Sequence, residues 1–398
     1  MELTPATKKI IEGFDKFVMP TYTRNPIVIT RARGSRVWDA DGKEYLDLFA
    51  GWGVSGIGYC HPKVVEAIKS QAEKLIHMPN NYYNELQGEL AEKISSYSFG
   101  GKCFFCNSGA EAVEGALKLV RRYRSLSGRH EVITMENSFH GRTFGALSAT
   151  GQAKYREGFG PILPGFQYVP FADFSALKNA FSEKTCAVMV EPIQGEGGVH
   201  VASREYFEQM RELCSQHDVL LVFDEVQTGA GRTGEYFGYQ LYGVEPDVMT
   251  LAKLLGGGFP IGAIVVQPRL AEVLVPGTHA STFGGSPLAC AAALAVFRAI
   301  EEENLLENAR AMGAYLREKL DSLKLKHPII KEVRGEGLML GAELTTNGSA
   351  ITAKCMERGL LINCTAGNVL RFLPAMTVSR QEIDRAIDIL DGVLEELS

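Results

Sequence analysis

Residues 219–234 read VLLVFDEVQTGAGRTG: an apolar run ends in the pair Asp224–Glu225, and Lys253 follows among glycines in LAKLLGGG. An acid at the end of a buried strand is costly unless something pairs with it, and a protonated ring nitrogen is such a partner. Lys253, after the apolar stretch VMTLA, offers an amine that could hold an aldehyde covalently. Each residue also has an ordinary role. Asp224 could cap a helix or pair with an arginine, and Lys253 could lay its stem on the sheet and keep its ammonium in water. A third cluster, CNSGAEAVEGALKLV, sets Ser108, Gly109 and Ala110 between an apolar strand and a helix start. First-turn N–H groups have no intrahelical partner, so this is a ready anion site. Ser108 with Glu111 also reads as a capping box, and the two readings are compatible. A fourth cluster, ENSFHGRT, presents Phe139, His140 and Arg142 on a glycine-containing loop. Phe139 could lie over a flat ring, and Arg142 could take a carboxylate in a bidentate fork. Together these parts suit an aldehyde cofactor that carries a basic ring nitrogen and a phosphate.

Competing motifs fail on context. Gly229, Gly231 and Gly234 spell GxGxxG. A dinucleotide fingerprint needs its first glycine directly after a strand and a helix opening on the glycines. Here Asp224–Glu225–Val226–Gln227–Thr228 intervenes, and EYFGYQLYG follows as loop and short helix. Lys253 precedes its glycines, which is the wrong order for a nucleotide-phosphate loop. Cys103 and Cys106 form one C-x-x-C inside KCFFCNSG, without a second pair at ligand spacing, and read as structural cysteines.

The elements that must position these clusters follow from periodicity. IVITRARGSRVWDADGKEYLDLFAG alternates and turns at Asp41–Gly42, a hairpin signal. Helical spacing covers residues 62–76 and 85–96. Strand-like runs then alternate with helices: KCFFC, EAVEGALKLVRRYR, EVITM, TCAVMVE, REYFEQMRELCSQ, VLLVFDE, VMTLAK and IGAIVVQ. Continuous apolar strands between helices predict an α/β fold with a mostly parallel sheet covered on both faces. Its chemistry belongs on loops at the carboxyl ends of the strands. Helices are expected from Ser286 to Ile300, over 303–324 and from Ser379 to Glu396. The tail lacks the strand–helix rhythm and is expected to form a small α+β domain with the N-terminal hairpin. The division is 1–50, 51–295 and 296–398. Formal charge is 41 minus 47, or −6, which gives no reason to expect a nucleic-acid or membrane partner. No apolar stretch is long enough to span a bilayer, the N-terminus lacks a signal-peptide block, and the eight cysteines are scattered; a cytoplasmic location is the expectation.

With these residues in view, the sequence resembles the class-III aminotransferases, pyridoxal 5'-phosphate enzymes of fold type I. NSGAEAVE, SFHGRT, EPIQGEGG, FDEVQTGAGRTG, LAKLLGGGFPIGA, STFGGSPLAC and NVLRFLP occur in family order from about residue 20 to the C-terminus. Within the family they are most similar to the acetylornithine aminotransferases. The resemblance implies that Lys253 carries the cofactor and shuttles the proton, and that Asp224 partners the ring nitrogen. Val226 then packs on the ring face opposite Phe139, Gln227 approaches the ring hydroxyl, and Ser108, Gly109 and Ala110 cradle the phosphate. His140 belongs to the same cofactor set. Thr282 reaches the phosphate from a neighbouring subunit, with Ser281 beside it at a substrate-contacting position, which implies a homodimer with composite sites.

The implied reaction moves the terminal amino group of N2-acetyl-L-ornithine to 2-oxoglutarate, as in arginine biosynthesis. Arg371 resembles the arginine for the α-carboxylate of glutamate or 2-oxoglutarate, Glu196 the acid that neutralises it, and Arg142 the arginine for the donor's remote carboxylate. FAGWGVSGIGYCHP and HMPNNYYNE depart from the family's commoner wording where the substrate mouth is shaped. Ornithine, N-succinylornithine, N-succinyl-diaminopimelate and 4-aminobutyrate therefore stay open as donors. A non-catalytic pyridoxal-phosphate-binding protein is the alternative of a different class.

Overall fold

A computed structural model describes residues 3–397; Met1, Glu2 and Ser398, the outermost residues of the two terminal spans, lie outside the described residues. The first three strands are β1 (Ile29–Arg33), β2 (Arg36–Asp39) and β3 (Glu44–Asp47), joined through the expected Asp41–Gly42 turn with Gly42 at φ 83°. Nine more strands follow: β4 (Lys102–Cys106), β5 (Glu131–Met135), β6 (Phe166–Val169), β7 (Thr185–Val190), β8 (Ile193–Gln194), β9 (His200–Val201), β10 (Leu220–Asp224), β11 (Val248–Leu251) and β12 (Gly262–Val266). The C-terminal region adds β13 (Ile330–Glu336), β14 (Met339–Leu344), β15 (Leu360–Leu361), β16 (Asn363–Thr365) and β17 (Val369–Phe372).

The large sheet has the order β4-β12-β11-β10-β7-β5-β6. Neighbours from β11 through β10, β7 and β5 to β6 are parallel, whereas β12 is antiparallel to both of its neighbours. The continuous apolar runs have a simple cause. In β10, Leu221 and Phe223 enter one core while Leu220 and Val222 enter another. In β12, Ala263 and Val265 divide from Ile264 and Val266 in the same way. Side chains alternate across a strand, so a sheet covered on both faces needs apolar residues at every position. The helix Gly109–Tyr123 supplies one cover and Arg204–Gln216 the other.

β15 pairs parallel to β3, so the N-terminal hairpin is completed by residues more than three hundred positions later. β13, β14, β17 and β16 form a second antiparallel sheet. Their core includes Leu46, Leu48 and residues up to Leu394, and also Val64, Ala230 and Leu254. The helix Pro287–Glu302 crosses from the large-sheet core into this one.

One local feature is strained. Ala50, Gly51, Trp52 and Gly53 all have positive φ, at 45°, 58°, 59° and 80°. Left-handed backbone costs a non-glycine residue about 1–2 kcal/mol, so Ala50 and Trp52 need external support. Asp47 provides it, its Oδ1 accepting the N–H groups of Phe49 and Ala50 at 2.6 and 3.0 Å and its Oδ2 accepting the Tyr59 hydroxyl at 2.7 Å.

Candidate active site

The carboxyl ends of β4, β5, β7, β10 and β11 converge on a cleft of roughly 410 Å³. Ser108, Gly109 and Ala110 line it after β4, Phe139, His140 and Arg142 after β5, and Glu191 and Glu196 after β7. Asp224, Val226 and Gln227 enter from β10, and Lys253 from β11. β12 runs the other way and contributes Pro260 and Ile261 from its start.

At the phosphate turn Ser108 is the N-cap, its Oγ accepting from Glu111 N–H at 3.2 Å. The expected reciprocal half of the capping box does not form. Glu111 Oε2 reaches past Ser108 to the N–H and side-chain amide of Asn107 at 2.9 and 3.0 Å. Gly109 has a packing reason to be glycine, because a Cβ there would lie 2.8 Å from Val226 Cγ1.

Asp224 ends β10 within a polar network. Its Oδ1 accepts from Thr250 Oγ at 3.0 Å and Val226 N–H at 3.1 Å, and its Oδ2 lies 2.6 Å from His140 Nδ1. On the far side of that ring, Thr134 Oγ donates to the Ala149 carbonyl at 2.8 Å. Its lone pairs are therefore left for Ser138 at 3.3 Å and His140 Nε2 at 3.2 Å. A nitrogen facing a lone pair must carry hydrogen, and so must one facing a carboxylate. Both ring nitrogens of His140 are then protonated. Burial opposes that charge, but the hydrogen bond and charge of Asp224 outweigh it and raise the His140 pKa.

Lys253 follows β11 and has φ 47°, a left-handed conformation that non-glycine residues adopt where the surroundings impose it. Burial depresses its pKa more than Glu196 and Asp224 raise it, so the neutral amine is favoured relative to a free lysine. Arg371 in β17 is fully buried, and its Nη1 donates to two residues of the cleft wall, Glu196 Oε1 at 2.7 Å and Gln227 Oε1 at 3.3 Å. Its Nη2 has no partner. Burial of Glu196 is outweighed by Arg371 and Lys253, which hold its pKa low. Arg142 is exposed, with its guanidinium 3.9 Å from the ring centre of Tyr155 and 5.5 Å from that of Phe139.

Within this chain Ser281 and Thr282 do not line the cleft. They border a separate depression with Asn107 and Glu111, where Ser281 Oγ accepts from Asn107 Nδ2 at 3.1 Å, and Thr282 is exposed. Two further residues stand out beside those expected. Glu191 accepts the N–H groups of Phe139 and Gly195, both at 3.2 Å, and burial pushes its carboxyl up to about 7. It ends the apolar run TCAVMVE, the same signal that marked Asp224. Tyr155 under Arg142 carried no sequence signal. Cys103 and Cys106 are free thiols in β4, raised to about 12 by burial. Residues three apart on a strand face opposite sides, so they do not form a ligand pair.

Residues 18–394 match the family model described as aminotransferase class-III. The chain belongs to this family. Among its relatives, an acetylornithine aminotransferase from Caldanaerobacter subterraneus subsp. tengcongensis is 56% identical over 96% of this chain and 98% of its own length. One from Methanocaldococcus jannaschii is 52% identical over 96% and 97%. Among solved structures, an ornithine aminotransferase from Toxoplasma gondii matches with a TM-score of 0.95 and 35% identity, covering 100% and 96% of the two chains. An acetylornithine aminotransferase from Elizabethkingia anophelis matches at 0.88 and 33%, covering 98% and 99%. The fold is that of the pyridoxal-phosphate aminotransferases, and class-III aminotransferases use pyridoxal phosphate. The residues present fit that cofactor: a lysine amine whose pKa burial depresses, a buried carboxyl paired with His140, and a helix N-terminus whose glycine lets Val226 close in.

Proposed function

We propose that this class-III aminotransferase transfers the terminal amino group of N2-acetyl-L-ornithine to 2-oxoglutarate, giving N-acetyl-L-glutamate 5-semialdehyde and L-glutamate. The observation that carries the two-substrate reading is Arg371, buried and paired through Nη1 to Glu196 and through Nε to Asn363 while Nη2 has no partner. A buried guanidinium in that state suits a substrate carboxylate arriving in one half-reaction and the Glu196 carboxylate serving in the other. The acetylated donor is the reading favoured by relatives of that name at 46–56% identity.

When bound, pyridoxal phosphate supplies an aldehyde for the amino group and a ring that accepts the electron pair left by C–H cleavage. Lys253 Nζ, favoured as a neutral amine, takes the proton from the donor carbon and later returns it. Asp224, whose oxygens pair with His140, Thr250 and the Val226 N–H, would keep a proton on the ring nitrogen. Phe139 and Val226 would hold the ring between them, Gln227 would serve its hydroxyl, and the N–H groups of Ser108, Gly109 and Ala110 would hold the phosphate. Arg142, over Tyr155 at the open side, takes the donor's remote carboxylate. Thr282 serves the phosphate of a second copy, with Ser281 beside it near that copy's substrate, in a cytoplasmic homodimer.

The test is a donor panel with 2-oxoglutarate as acceptor and glutamate formation as the readout. N2-acetylornithine should give the highest kcat/KM among N-succinylornithine, ornithine, 4-aminobutyrate and N-succinyl-diaminopimelate. Preference for another donor would transfer the assignment to that donor, and a bound cofactor without any turnover would make the protein a binding module.

A further inference from the structure

The exchange of Glu196 for a substrate carboxylate depends on how the Arg371 guanidinium is turned. Its Nη1 faces the cleft, since both acceptors of that nitrogen, Glu196 and Gln227, line it. The other two nitrogens differ: Nη2 has no partner, whereas Nε donates to Asn363 Oδ1 at 2.9 Å. The sheet supplies that grip from one flank. Arg371 stands opposite Asn363 of β16 on one side and Gly341 of β14 on the other. Residues directly opposite in an antiparallel pair share a face. Gly341 has no side chain to offer, and a Cβ there would lie 3.0 Å from Val199 Cβ. Asn363 is thus the cross-strand neighbour able to hold the guanidinium, and it does so at Nε.

Two residues along β16, on the same face, Thr365 Oγ donates to the Glu196 carbonyl at 2.6 Å. Just beyond, Arg334 of β13 donates to the Gly198 and Val199 carbonyls at 2.7 and 3.1 Å. The main chain around Glu196 is therefore fastened to β13 and β16 independently of the ion pair. Its side chain can leave Arg371 while its backbone stays docked. A guanidinium binds a carboxylate best through two parallel N–H donors. With Nε occupied, those donors are Nη1 and Nη2, the edge where Glu196 now holds one place. Asn363 is also neutral. It satisfies one N–H without cancelling the charge, so the cation that Glu196 leaves is available to an incoming anion.

We propose that Asn363 is a positioning residue for the acceptor half-reaction, turning the Nη1 and Nη2 donors of Arg371 toward the 2-oxoglutarate carboxylate without neutralising them. The inference rests on the reading of Arg371 given above. Asn363 does not line the cleft, and it acts through Arg371. The substitution Asn363→Asp would accept the same Nε–H but pair the cation permanently. Substrate would then compete with a carboxylate that cannot withdraw. The substitution Asn363→Ala would instead free the guanidinium to turn, keeping its charge and losing its alignment.

The first measurement reads binding without turnover. Glutarate has both carboxylates of 2-oxoglutarate and no carbonyl to react. Titrated calorimetrically into enzyme loaded with pyridoxamine 5'-phosphate, it should bind about tenfold more weakly to Asn363→Ala than to wild type, and about 100-fold more weakly to Asn363→Asp. The second measurement separates the half-reactions. The KM for 2-oxoglutarate should rise by about the same factors, while the single-turnover rate with the best donor of the panel changes less than about threefold. A residue that merely held β16 on β17 would damage both half-reactions alike and would tolerate the isosteric aspartate better than alanine. Equal loss in both half-reactions, or Asn363→Asp performing as well as Asn363→Ala, overturns the proposal. Should Asn363→Asp fail to fold, Asn363→Ala decides alone, and wild-type affinity for glutarate overturns it. Arg371→Lys tests the reading beneath. If that variant uses 2-oxoglutarate as wild type does, the Arg371 reading falls and this inference with it. If it loses 2-oxoglutarate while the Asn363 variants do not, the inference alone falls.

Discussion

The Asp224 carboxyl is buried, and its neighbours take the place of water around it. Thr250 and the Val226 N–H serve one oxygen and His140 the other. The pair His140–Asp224 is then neutral overall, so an ionised carboxylate can face a ring nitrogen without the full cost of burial. A pH dependence follows from the direction of the His140 shift. Its folded pKa lies above the ordinary 6.5, so its protonation contributes stability that is fully present below that value. The contribution is lost as pH rises through the raised folded pKa. His140→Asn should therefore melt below wild type in the cofactor-free chain, with a Tm deficit that is largest near about pH 6 and shrinks as pH climbs. Calorimetry across pH checks this, and a deficit that grows with pH would mean a neutral imidazole. At this scale the legible residues were those that violate a local pattern. Asp224 interrupts an apolar strand, and Lys253 stands between apolar residues and glycines. Glu191 sends the same signal at the end of TCAVMVE. Tyr155 does not, because an aromatic in QAKYREG breaks no pattern until the fold sets Arg142 above it.

The helix Gly109–Tyr123 shows how an element, once placed, restricts its own residues. Its N-terminus lies where β4 delivers it, and Val226 from the loop after β10 packs against Gly109. Gly109→Ala should leave the helix and its Ser108 cap intact but push Val226 toward the ring by close contact at 2.8 Å. Overpacking of this kind typically costs about 1–3 kcal/mol, so cofactor affinity should fall on the order of tenfold. Equilibrium dialysis of pyridoxal phosphate against the reconstituted chain measures it, and an unchanged Kd would show that Val226 does not touch the ring. The strands and helices themselves were readable, since apolar runs with period 2 or 3.6 report which faces are covered. The direction of β12 was not. IGAIVVQ looks like its parallel neighbours, and only its pairing with β4 and β11 reveals the reversal that brings Pro260 and Ile261 to the cleft.

At the scale of the molecule, Ser281 and Thr282 lie outside the cleft of their own chain, at a depression shared with Asn107 beside the phosphate turn. That placement agrees with service to a second copy, and it can be tested by complementation. Lys253→Ala and Thr282→Glu should each inactivate a homodimer, the second by setting a carboxylate against the phosphate. If Thr282 serves its partner, a purified heterodimer of the two chains holds one doubly damaged site and one intact site. It should then recover about half of the wild-type activity per dimer. A heterodimer that stays inactive would return Thr282 to its own chain.

The sequence by itself determined the kinds of element, their order and the residues whose presence at strand ends makes no sense without a partner. Those are local properties: alternation, caps, glycines and a charge among apolar neighbours are all carried within a few residues. Only the tertiary structure decided what depends on distant segments meeting. It paired β15 with β3, joined Arg371 of β17 to Glu196 of the loop after β7, and lodged Arg232 against Gly53, Leu338 and Pro374. It also doubly protonated His140 through bonds to Thr134 and Asp224. Hydrogen bonds and desolvation act over a few ångströms of space whatever the separation along the chain. For that reason the charge states and the strained turn at Ala50–Gly53 exist only once the chain has folded.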